Sequence, residues 1–112
     1  MSARAETGLW IAQRASAAVL ALCVLVHLLT IVYAVQGGLT AAEILGRTRG
    51  SWGWAAFYGV FVLAVAVHAP IGLRAVMRET LGWCGKSLEA AVAASGLCLA
   101  MLGWRAVAGL FA

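Results

Sequence analysis

The stretch VLAVAVHAPIGLRAVMRE, residues 62–79, decides how the rest of the chain is read. It is an apolar run carrying one imidazole, His68, with Gly72 four residues later and Arg74 six residues later. On a helix, positions i and i+4 share a face, so Gly72 removes a side chain from the surface beside His68 and lets something flat approach the backbone. Arg74 adds a planar fork of donors where the run meets charge, suited to anionic groups at a membrane surface. Pro70, two residues after His68, frees the carbonyl of Ala66 and predicts a kink, which serves either packing or the aiming of His68.

The remainder of the chain has the same apolar character. Of its 112 residues 64% are hydrophobic and only 11% charged, with mean hydropathy +0.98. Soluble domains carry about 25% charged residues, so a water-facing shell is excluded and an integral membrane protein is predicted. Three uncharged runs cover residues 15–35, 51–73 and 90–104, the last continuing past Arg105 to the end. A span needs roughly 20 apolar residues. The predicted fold is therefore all-α, a single bundle of three transmembrane helices at about residues 10–35, 52–78 and 88–111.

Punctuation between the runs supports this. Trp10 opens the first helix at an interface, and the residues before it are short and polar. Gly37 and Gly38 end it, Thr40 caps a short amphipathic segment to Leu45, and Arg47, Arg49 and Gly50 form the turn. Trp52 and Trp54 begin the second helix as another interfacial belt. Ser95, Gly96 and Gly103 allow close contacts by the third. The first run is too long for the apolar region of a cleaved signal, about 7–15 residues. Cys23 and Cys98 read as packing residues, and Cys84 adds no metal spacing. The net charge of +4 is scattered, which excludes a nucleic-acid surface. Arg4, Arg14, Arg74, Arg78 and Lys86 fall on one side of the membrane and Arg47, Arg49 and Arg105 on the other, which predicts a cytoplasmic N-terminus.

Two ionisable residues at membrane depth, His27 and His68, are the main functional signal. Each either bridges to a neighbouring helix or ligates iron. A flat, iron-centred, doubly carboxylated ligand matches His68, Gly72 and Arg74 together, and that ligand is haem. At 1.5 Å per residue, His27 lies about 25 Å along its helix from Trp10, whereas His68 lies about 9 Å from Arg74. The two imidazoles then differ in depth by about 10–15 Å and cannot serve one iron, so each needs a partner from another chain. This implies either two stacked haems in a dimeric membrane domain or one haem at His68 with His27 idle. Gln13 and His27 are four helical turns apart and are predicted to share a face with Ala17 and Val24. Arg14, one turn into the membrane, is either a snorkelling anchor or a partner for haem propionate or quinone oxygen.

Taken together, WIAQRASAAVLALCVLVHL (10–28) and HAPIGLR (68–74) resemble the membrane-anchor cytochrome b subunits of succinate dehydrogenase and fumarate reductase, complex II. The family's first-helix pattern, His or Gln then Arg, any residue, Ser, Gly, reads here Gln13, Arg14, Ala15, Ser16, Ala17. Its second-helix pattern, His-x-x-x-Gly-x-Arg, is met by His68, Gly72 and Arg74. The resemblance implies haem b on His68, with His27 as the ligand of a second haem, Gln13, Arg14, Gly72 and Arg74 around the cofactor, and quinone contact at Arg14 and Ser16. It also implies a flavoprotein and an iron–sulfur subunit docked on the cytoplasmic side of a bacterial inner membrane, and a second membrane subunit or a second copy of this chain beside it in the lipid. Ala17 stands for the usual Gly, Trp10 for a Ser that contacts quinone in some relatives, and Ala75 for a His. FAD and iron–sulfur clusters are not expected on this chain, which has neither a cysteine set nor a Gly-rich nucleotide turn. Competing readings are a haem-free anchor and a cytochrome b anchor for a different soluble dehydrogenase.

Overall fold

The computed structural model describes residues 2–112, and its elements in order are α1 (Ala3–Gly37), α2 (Ala41–Thr48), α3 (Trp52–Leu81) and α4 (Lys86–Phe111). The three long helices are each long and apolar enough to cross a membrane. They form a bundle 49 Å long and 24 by 22 Å across, with α3 in the middle and α1 and α4 packed against it. Leu22, Leu29, Leu63, Leu97 and Met101 are all more than half exposed, as expected of a surface solvated by lipid or by other membrane chains.

Helix α1 starts seven residues before the predicted position. The Ser2 hydroxyl accepts from the Ala5 amide (3.1 Å), and this cap turns the polar opening residues into two further turns. At 35 residues α1 is about 50 Å long, beyond the roughly 30 Å hydrocarbon core, so those turns project from it. Helix α3 runs three residues further than predicted and stops at Gly82, whose φ of +63° is the left-handed cap that glycine adopts without strain. Helix α4 begins two residues early, at Lys86.

The Thr40 cap is present as a full capping box with Glu43. The helix it starts extends to Thr48, so Arg47 belongs to α2 rather than to the turn. Arg47 donates to the Gly38 carbonyl (2.9 Å) and lies over the Tyr33 ring (5.7 Å). The Thr48 hydroxyl donates to the Leu110 carbonyl (3.0 Å), and the Gly50 amide to that of Phe111 (2.8 Å). These carbonyls, orphaned at the end of α4, are thereby satisfied by the α2 loop.

The face of α1 turned toward the bundle differs from the expectation. Apart from Ala12, its less exposed positions are Leu9, Gln13, Ser16, Leu20, Cys23, His27, Thr30 and Ala34, alternating steps of four and three, whereas Ala17 and Val24 point outward. Steps of 3.5 rather than 3.6 residues keep a packed seam on its neighbour. Gln13 and His27 do share the inward face, but Ser16 and Cys23 join them in place of Ala17 and Val24.

Helix α3 divides its sides between two partners. Tyr58, His68 and Gly72 meet α1, while Val62, Ala66 and Pro70 meet α4. A Cβ added at Gly96 of α4 would lie 3.1 Å from Pro70 Cγ and 3.5 Å from the Ala66 carbonyl that the proline leaves without its helical donor. The glycine thus sits where the ring thickens the helix.

Candidate functional site, the polar seam between α1 and α3

The seam pairs Gln13 with Gly72, Ser16 with His68 and His27 with Tyr58. Each step along α1 is matched, to within one residue, by a step back along α3, as an antiparallel pair requires. The two histidines therefore lie at different levels. Ser16 and His27 are eleven residues apart on one helix, about 16 Å of rise, and Tyr58 and His68 are ten apart on the other, about 15 Å. The rings of this chain cannot meet on one iron.

His68 is half-buried, with Nδ1 3.4 Å from Ser16 Oγ. Ser16 is buried, and its hydroxyl donates to the Gln13 carbonyl (3.0 Å). A hydroxyl has one proton. With that proton on the carbonyl, Ser16 can only accept from His68, which would place the imidazole proton on Nδ1 and the lone pair on Nε2. A ring held at Nδ1–H by a neighbouring oxygen, with Nε2 directed to a metal, is the usual arrangement of a metal-ligating histidine.

Gly72 faces α1 as its spacing from His68 requires, but the space it clears is covered by Gln13. A Cβ there would lie 3.3 Å from Gln13 Nε2. Gln13 Oε1 is buried and has no hydrogen-bond partner among the described residues.

Arg74 is buried and held within the protein rather than presented to the surface. Its Nε donates to Glu89 Oε1 (2.8 Å) and its Nη2 to Glu6 Oε1 (3.1 Å), while Arg78 Nη1 reaches the same Glu6 oxygen (3.4 Å). Three helices are thereby tied at one end, which we call the Arg74 end. Both carboxylates are half-exposed, so each ion pair is screened. The fork geometry matters here, because an ammonium cannot satisfy two carboxylates lying off different edges of a guanidinium. Arg74→Lys is expected to cost about 1–2 kcal/mol, read as a lower unfolding midpoint in detergent. An unchanged midpoint would show the tie to be energetically idle.

Arg14 is exposed, with its guanidinium carbon 5.0 Å from the Trp10 ring centroid. This is a cation–π contact on the outer side of α1.

At the other level, His27 Nδ1 lies 3.1 Å from the Tyr58 hydroxyl. The ring meets Tyr58 and Phe61 edge-on, with centroids 5.7 and 5.6 Å away. Tyr58 in turn stacks on Trp54, so Trp54 is part of this column as well as of an interfacial belt. Sequence reasoning passed over Tyr58 and Phe61. The signal was their spacing of ten and seven residues before His68, which places all three on one 3.5-residue seam.

Among the described residues no group of three or more His, Cys, Asp or Glu converges as a site for a bare ion. Haem needs no such group, since it brings four pyrrole nitrogens and takes only an axial imidazole from each chain. The His68 imidazole, with Ser16 beside its Nδ1, fits that requirement.

These features define a multi-pass membrane protein with a polar seam between two of its helices. The model of the succinate dehydrogenase/fumarate reductase transmembrane subunit family matches residues 1–111, and the chain belongs to that family. It is a membrane-anchor subunit of complex II, in a family generally made of cytochrome b subunits that associate with the other subunits of the complex. No curated protein and no solved structure matches the chain.

Proposed function

We propose that this subunit ligates haem b through His68 at one depth and His27 at the other, and that it carries electrons between the iron–sulfur subunit of the complex and membrane quinone. The observation that carries the reading is the Ser16 hydroxyl, which donates to the Gln13 carbonyl and lies 3.4 Å from His68 Nδ1, an arrangement in which the His68 lone pair sits on Nε2. A neighbouring membrane chain, either a different subunit or a second copy, would complete each haem site.

Bound haem supplies reversible one-electron chemistry whose potential is tuned by burial and by hydrogen bonds to the imidazoles. The residues of this chain supply the setting. Ser16 orients His68, and Gln13 offers its buried acceptor beside Gly72. Arg74, tied to Glu6 and Glu89, fixes the helix ends near the His68 level and contributes positive charge there. Arg14 presents its guanidinium on the exposed side of α1 to a quinone oxygen or a propionate, while Ser16, two residues on and turned inward, serves that site by holding the seam closed. The iron–sulfur subunit docks at the Arg74 end, with the flavoprotein beyond it. The excess of Lys and Arg there makes it the cytoplasmic side of a bacterial inner membrane.

A haem-free anchor is the second reading, favoured by the hydroxyl partner each histidine already has within the chain. An anchor for another soluble dehydrogenase is the third. Purifying the chain with its partners decides among them. The expected result is co-purification of a flavoprotein and an iron–sulfur subunit, succinate or fumarate turnover with quinone, and reduced-minus-oxidised bands of b-type haem. A complete complex without those bands ends the haem claim, and one inactive on both acids ends the assignment of substrate.

A further inference from the structure

We propose that Tyr58 is a positioning residue for His27, taking the Nδ1 proton on its phenol oxygen so that Nε2 is presented to iron. This rests on the reading above that His27 ligates a haem, and deepens it by naming the residue that sets the ligand's tautomer and basicity.

A phenol both donates and accepts, so the 3.1 Å contact alone allows two proton arrangements. If Tyr58 donates to Nδ1, the imidazole proton sits on Nε2 and that nitrogen cannot bind a metal. If Nδ1–H donates to Tyr58, the Nε2 lone pair is available. A metal at His27 selects the second arrangement. The oxygen then draws on the Nδ1 proton, which makes the imidazole a stronger donor to iron and favours the oxidised state.

The surroundings of the ring leave it little freedom. The planes of Tyr58 and Phe61 lie within 9° of each other, and both meet the imidazole near perpendicular, at 86° and 80°. Trp54 stacks on the far side of Tyr58 at 24°. Trp54, Tyr58 and Phe61 follow at steps of four and three, so one stripe of α3 builds the whole support.

Space for a ligand lies on both sides. The His27–Tyr58 pair forms part of the shared wall of two apolar grooves of about 670 and 430 Å³. The first runs between α1, α2 and the start of α3, and the second toward Leu102 and Gly103 of α4. His68 has the corresponding support from Ser16. The two levels thus share one device, a hydroxyl from the facing helix on Nδ1.

The test uses the complex purified with all its subunits, with potentiometric titration of the b-type absorbance and low-temperature electron paramagnetic resonance. His27→Gly is expected to lose one of two haem signals and to regain it with added imidazole. Tyr58→Phe, which keeps the ring stack, is expected to retain both haems. The midpoint of the haem that depends on His27 moves to more positive potential and its resonance position changes, while the His68 haem stays unmoved and reports an intact fold. If the His27-dependent haem keeps its wild-type potential and resonance in Tyr58→Phe, the Tyr58 proposal is overturned and the ligand assignment stands. If His27→Gly retains every haem signal, the ligand assignment itself is wrong and the Tyr58 role falls with it.

Discussion

His68→Ala is expected to abolish the b-type haem nearest the Arg74 end while leaving the chain folded in the membrane. The two halves of this expectation have different physical origins. On the proposed reading the haem would lose an imidazole that its hydrogen-bonding neighbour cannot replace, since the Ser16 hydroxyl is a poor ligand for haem iron. The fold loses much less. His68 is only half-buried, and its one polar partner in the chain is a long 3.4 Å contact. Hydrogen bonds between membrane helices contribute about 0.6 kcal/mol on average. Ser16 keeps its bond to the Gln13 carbonyl and so leaves no stranded donor. Reduced-minus-oxidised spectra of membranes, set against immunodetected protein, check the result. The His27-dependent signal serves as internal reference. Full band amplitude in the variant would show that His68 only bridges helices.

The features legible in the sequence are those written in local composition. Three spans followed from hydropathy alone, and the Thr40 cap and the glycines at 37 and 38 follow from residues a few positions apart. The unequal depth of His27 and His68 was legible too, because helical rise is a fixed number and needs no knowledge of neighbours. What was missed depends on partners distant in sequence. Arg74 reads as a group offered to a ligand until Glu6 and Glu89, 68 and 15 residues away, are brought to it. The space over Gly72 reads as open until Gln13 fills it. The face of α1 was misassigned by using a straight-helix period where packing imposes 3.5. The Tyr58 column went unnoticed because aromatic residues near the start of a membrane helix are ordinary interfacial anchors, and nothing local distinguishes one that turns inward.

Gly103→Val is expected to separate α4 from α3, and Val62→Ala is expected to restore the contact. Membrane helices are not driven together by the hydrophobic effect, since lipid is as apolar as their side chains, so close packing has to hold them. A Cβ added at Gly103 overlaps the side chain of Val62, with Cγ2 2.8 Å and Cβ 3.1 Å away. Distances under about 3 Å require something to move. Val62 cannot turn aside, because a β-branched residue has one strongly preferred rotamer in a helix. Nor is the clash with a flexible chain end, so the helix axes themselves must part. Overpacking of this kind costs about 1–3 kcal/mol in well-packed interiors. Here it also strains the bonds from Thr48 to Leu110 and from Gly50 to Phe111, which tie the end of α4 two turns beyond. At 1.4 kcal/mol per tenfold, the upper part of that range shifts the folding equilibrium by about two orders of magnitude. A double-mutant cycle on unfolding midpoints in detergent measures it. Val62→Ala alone is mildly destabilising, Gly103→Val alone strongly so, and the pair recovers most of the loss because the two changes exchange volume across one contact. If Gly103→Val is as stable as the parent, or Val62→Ala rescues nothing, the α3–α4 register drawn here is wrong. The grooves beside His27, whose second wall includes Gly103, would then have to be redrawn with it.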